Sequence, residues 1–112
     1  MKKPIDIDTI QTLHKRWTEK NFPDQVADDC FKGVVEEVGE LAHADLKKKQ
    51  GIRGTSAEFD AEARDAVGDI MIYLMGYCTQ RGWLLSEVLQ DTWEKVVSKR
   101  DWVKYPGNGI DN

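Results

Sequence analysis

The sequence predicts an all-α fold: one small four-helix bundle over residues 1–112, completed by oligomerisation. Three observations predict it. Apolar residues recur at helical spacing in four segments. Proline or glycine punctuates the chain between them, at Pro23, at Gly51 and Gly54, and at Gly82. No run alternates apolar and polar residues as a half-buried strand does. A chain of this length buries only about two-thirds of its unfolded surface, which is why association is expected to complete the core.

The first helix is predicted from about Asp6 to Lys20. Ile5, Ile10, Leu13 and Trp17 fall at helical spacing, and Asp6 or Asp8 caps the start. Pro23 disfavours helical backbone at Phe22 and ends the segment. The second helix runs from Pro23 or Asp24 to Lys49, with Val34, Val35, Val38, Leu41, Ala42 and Asp45 on one side. Gly33 and Gly39 lie inside it, each costing about 1 kcal/mol against alanine. Lys47, Lys48 and Lys49 suit the negative end of the helix dipole. Residues 50–55 form a loop, and Ser56 is the expected cap of a third helix reaching Gln80. Its stretch from Ala66 to Cys78 is apolar nearly all round, which predicts a helix buried on most sides. Arg81 and Gly82 end it. A fourth helix follows from about Leu84 to Val103, with Leu85, Val88, Leu89, Trp93, Val96 and Val97 inward.

Composition narrows the function. Charged residues make up 32% and the net charge is −4, so no strongly basic surface invites a nucleic-acid polymer. No stretch approaches the ~20 apolar residues of a membrane span, and the N-terminus has no apolar leader core. The two cysteines, Cys30 and Cys78, each lie in an apolar stretch and read as buried thiols of a cytoplasmic protein.

The chemistry is carried by acids. Glu36, Glu37 and Glu40 share one flank of the second helix, since residues three or four apart are neighbours. Glu62, Asp65 and Asp69 stand at i, i+3 and i+7 on the third. Both sets border apolar positions, so packing the two helices together brings the acids together. Crowded carboxylates repel, and a hard divalent cation offsets that repulsion with oxygen ligands. Glu40-Leu-Ala-His43 has the Glu-x-x-His spacing of di-iron bundles. The only other histidine, His14, is preceded three residues earlier by Gln11, so the second half of such a site is missing.

Glu-Glu-Val-Gly-Glu-Leu at 36–41, with Asp65-Ala-Val-Gly-Asp69-Ile-Met-Ile-Tyr-Leu74, resembles the MazG-like all-α nucleoside triphosphate pyrophosphohydrolases. The segment Trp17 to Asn21, and Trp93 through Arg100-Asp101-Trp102, extend the likeness from about Thr12 to Trp102. It implies a MazG-like bundle, Mg²⁺ or Mn²⁺ as cofactor, a homodimer or homotetramer, and cleavage of a (d)NTP to its monophosphate and pyrophosphate. By position, Glu37, Glu40 and Asp69 would hold metal. The family's first acid of E-x-x-D falls on Ala66, leaving Asp65 or Glu62 as its replacement. Glu36 or Glu37 would orient or deprotonate the attacking water. Lys47, Lys48, Arg53, Arg100 and Lys104 are the candidate cations for the outer phosphates. Trp17, with Asn21, and Trp102 would meet the base.

Overall fold

The computed structural model describes residues 2–98 and is all-helical there, with four helices and no strand among the described residues. They are α1 (Ile7–Asn21), α2 (Ala27–Gln50), α3 (Ser56–Gln80) and α4 (Leu85–Ser98). Arg100, Trp102 and Lys104, three of the expected substrate contacts, lie outside the described residues, as does the rest of the predicted fourth helix.

Asp6 is the α1 cap: its carboxylate accepts the Thr9 N–H at 2.8 Å. That contact holds the Asp6 carboxyl below its usual range. The second helix starts later than predicted. Pro23 and Asp24 belong to a turn in which the Gln25 N–H donates to the Phe22 carbonyl. The helix begins only where the Asp29 carboxylate accepts the Val26 N–H. Gly51, with φ of 69°, closes it by donating to the Lys47 and Lys48 carbonyls. Thr55, not Ser56, caps α3. Its hydroxyl accepts from the Glu58 N–H while the Glu58 carboxylate accepts from the Thr55 N–H, a reciprocal capping box.

The α2–α3 hairpin is the principal packing unit. Its antiparallel register is visible in three contacts that march in opposite directions along the two helices. Lys48 pairs with Asp60 at 2.7 Å near the loop. Gly33 meets Tyr73, and Cys30 meets Gly76, at the far end. A Cβ on Gly33 would fall 2.3 Å from the Tyr73 ring, so only glycine lets that ring lie on the α2 backbone. Gly39 has open space where its Cβ would be and no packing reason of this kind.

The face that α2 turns inward differs from the predicted one. Cys30, Gly33, Val34, Glu37, Leu41 and Ala44 are buried or half-buried, whereas Val35, Val38, Ala42 and Asp45 are exposed. The helix has two apolar stripes, and the one bearing small residues is the one that fits against α3. Phe31, Val35, Val38 and Leu46 form the other, each at least 50% exposed. Nor is α3 buried on most sides: Val67 and Ile72 face solvent. Both cysteines are free and buried, as the composition suggested.

A hydrophobic core cluster lies where α1 and α4 dock on the end of α3. Met75, Cys78 and Leu85 are buried there, with Ile7, Ile10 and Met71 packed around them. Of the residues expected inward on α4, Leu85 is buried and Val96 half-buried. Val88, Leu89 and Trp93 are exposed, because α4 meets the other helices mainly through its first turn. Gln11 joins the three elements. Its amide nitrogen donates to Thr79 Oγ1 at 3.0 Å and to the Trp83 carbonyl at 2.9 Å, and its oxygen accepts the Leu85 N–H at 2.9 Å.

Candidate functional site

Register and helical spacing together build the acidic site. With α2 and α3 antiparallel and Glu37 beside Asp69, moving one turn up α2 and one turn down α3 sets Glu40 across from Ala66. Glu36, Glu37, Glu40, Glu62, Asp65, Ala66 and Asp69 accordingly line a single open cleft of about 300 Å³. All six acids singled out from the sequence are gathered there.

Their environments differ. Glu37 is half-buried between the helices, while the other five acids are exposed. Burial raises the Glu37 carboxyl above its ordinary range, and the charges of Asp69, Glu36 and Glu40 raise it further. Asp69 is exposed at the open rim of the cleft, although it lies in the stretch predicted to be buried on most sides. Ala66 is 3% exposed, so a methyl group floors the cleft at the position where the resemblance calls for a carboxylate. Glu62 and Asp65 flank that methyl on the same wall.

Among the described residues, no three His, Cys, Asp or Glu side chains stand close enough to hold a metal ion together. Exposed like charges on neighbouring turns favour rotamers that point apart. The donor chemistry nonetheless suits a hard divalent ion, since every polar side chain of the cleft is a carboxylate and Glu37 is held in a site that disfavours its charge.

A second cleft, of about 420 Å³, adjoins the first and shares Glu37 and Asp69 with it. The rest of its lining is largely aromatic and apolar: His14, Trp17, Phe22, Gln25, Cys30, Ile72 and Tyr73. Trp17 stacks on His14 with ring centres 5.9 Å apart and meets Phe22 edge-on at 5.5 Å. Of these residues only Trp17 was foreseen as a substrate contact. Gly33 was the available signal for Tyr73, since a glycine in a helix interior marks a backbone that something approaches closely.

The other predicted contacts fall elsewhere. Asn21 spends its amide on the Trp17 carbonyl at 2.8 Å and lines a separate hollow with Pro23 and Asp29. Lys47 donates to Gln50 at the loop end of α2, and Lys48 is paired with Asp60. Arg53 sits in the loop with φ of 64°. None of these cations lines the acidic or the aromatic cleft. No helix among the described residues is long and apolar enough to cross a membrane. No protein-family model, curated protein or solved structure matches the chain.

Proposed function

We propose that the protein is a divalent-metal-dependent nucleoside triphosphate pyrophosphohydrolase of the MazG-like kind. One observation carries the reading: an all-carboxylate cleft opens directly into an aromatic one, with Glu37 and Asp69 common to both. A nucleotide has the matching division, an anionic chain that needs cations and a planar base that needs a stacking surface.

In this reading Glu37, Glu40 and Asp69 hold Mg²⁺ or Mn²⁺, with Asp65 or Glu62 completing the donor set beside Ala66. The chemistry that a bound ion would supply is charge neutralisation for the triphosphate and a lowered pKa of water. Glu36, exposed on the same rim, accepts the proton of the water that attacks the α-phosphorus. The new bond joins water oxygen to the α-phosphorus. The bond broken joins that phosphorus to the oxygen bridging to the β-phosphorus, and pyrophosphate leaves with that oxygen. Trp17 and Tyr73 provide faces for the base. Cations for the outer phosphates come from outside the described clefts, with Arg100 and Lys104 the remaining candidates in this chain. Self-association to a dimer or tetramer would cover the exposed stripe Phe31, Val35, Val38 and Leu46.

A second reading is favoured by the buried Ala66 methyl: a nucleotide-binding or scaffold protein that keeps the bundle without turnover. A panel of NTPs and dNTPs with Mg²⁺, scored for pyrophosphate and for phosphate, separates the possibilities. Pyrophosphate from any nucleotide, lost in Glu40→Gln, supports the enzyme. Phosphate as sole product makes it a phosphatase. Binding without either product selects the non-catalytic reading.

A further inference from the structure

His14 occupies a position that neither cleft's chemistry explains. It projects from α1 onto the α2–α3 hairpin at Gly76, where a Cβ would fall 3.2 Å from its Cε1 and 3.0 Å from Cys30 Sγ. Its Nε2 lies 3.3 Å from Thr18 Oγ1. Its Nδ1 is buried and has no hydrogen-bond partner. Cavities lie on both sides of it, the aromatic cleft and a hollow of about 270 Å³ containing Thr18, Gln25 and Thr79.

A neutral imidazole bonded to Thr18 leaves one nitrogen idle, a bearable cost. An imidazolium must place a charge and two N–H donors in the same spot. On α1 the charged residues that share a cavity with His14 are Lys15 and Glu19, and both line the outer hollow; Arg16 lines neither cavity. From α2 it faces the Cys30 thiol, which burial keeps protonated by pushing its pKa up. Tyr73 of α3 lines the same cleft, and Glu37 and Asp69 stand on that cleft as well. None of these acids offsets the cost: burial alone acts on His14, and it lowers the pKa below the ordinary 6.5.

We propose that His14 is an acid-sensitive latch: proton uptake by its ring releases α1 from the hairpin and removes the Trp17–Phe22 wall of the aromatic cleft. The sign follows from linkage. Below about pH 6.5 the detached or unfolded chain takes a proton that the docked state refuses, so docking weakens as pH falls and is fully restored above that value. The device needs no metal and no nucleotide.

The test is an NMR titration of the metal-free protein from about pH 8 to about pH 5, following the imidazole signals together with hydrogen exchange of the α1 amides. The latch predicts that His14 titrates below 6.5. It also predicts that α1 amides lose protection, and the Trp17 indole signal moves, with the same midpoint. His14→Phe keeps the ring stack and cannot bind a proton, so α1 protection in that variant should no longer depend on pH in this range. Titration of His14 at or above 6.5, or α1 protection unchanged across its titration, overturns the proposal. An acid response persisting in His14→Phe does the same. Should the variant not fold, the wild-type titration and exchange still decide.

Discussion

Gln11→Leu removes a side chain whose hydrogen bonds tie α1 to α3 and to α4, with little change in size. Gln11 is 5% exposed, and the three hydrogen bonds it makes are all between 2.9 and 3.0 Å. Each such bond contributes about 1 kcal/mol net, so their loss alone costs about 3 kcal/mol. The N–H of Leu85, a residue 7% exposed, and the Trp83 carbonyl then lose a partner at the start of α4. A stranded buried group adds about 1–3 kcal/mol where water cannot reach it. Against this, the leucine side chain gains roughly 1 kcal/mol from apolar burial. The expected destabilisation is therefore about 3–5 kcal/mol, a large share of the ~5–15 kcal/mol that holds a domain together. Urea denaturation should show a lower midpoint with an unchanged slope, and exchange protection should fall first in α4. A loss below about 1 kcal/mol, or α4 amides as protected as before, would show that α4 docks by its apolar turn alone and that the polar staple is incidental.

Glu37→Gln separates the cost of the acidic cleft from its use. The pKa of the Glu37 carboxyl is raised, so its charge is disfavoured in the fold, and the penalty is complete above the raised pKa. The metal-free variant should be more stable than wild type near pH 7. The gain should vanish as pH falls through the raised pKa toward 4.5, where wild type protonates the same group. Under the proposed function Mg²⁺ should raise the Tm of wild type but not of the variant; a Tm response retained in the variant excludes Glu37 as a ligand. Gly39→Ala should stabilise by about 0.5–1 kcal/mol, since its Cβ meets nothing, and Gly33→Ala should destabilise because Tyr73 must leave the α2 backbone. Equal effects at the two glycines in a denaturant series would contradict the register.

Much of this was readable in advance because local signals and tertiary structure agree. Pro23, Gly51 and Gly82 punctuate the helices where punctuation was expected, and Asp6 caps where an aspartate should. The acids were legible because i, i+3 and i+7 fixes a helix flank before any partner is known. Periodicity failed on α2 because two apolar stripes satisfy it equally. What selects between them is a tertiary fit, the Tyr73 ring on Gly33, and hydrophobicity carries no record of that. The same limit hid Gln11, one polar residue in an apolar stripe, whose partners lie 68 to 74 positions away. The aromatic cleft was seen only through Trp17, since its walls come from three helices and a loop.

The placement of the two clefts has a consequence for how they respond to change. The carboxylates all stand on α2 and α3, which make the most extensive contact in the fold. The aromatic wall is different: Trp17 belongs to α1 and Phe22 to the turn after it, and α1 docks through a much smaller surface. What holds that smaller surface is the packing of Ile7 and Ile10 on Met75, Cys78 and Leu85, the Gln11 staple, and the His14 ring against Gly76. Repulsion among Glu36, Glu37, Glu40 and Asp69 is therefore carried by the rigid part of the molecule, where the hairpin packing resists splaying. Changes in α1 docking act on the aromatic side and leave the carboxylate spacing as it is. Carboxylates crowded with like charge thus stand on the hairpin, whereas the aromatic wall depends on the smaller contact that α1 makes.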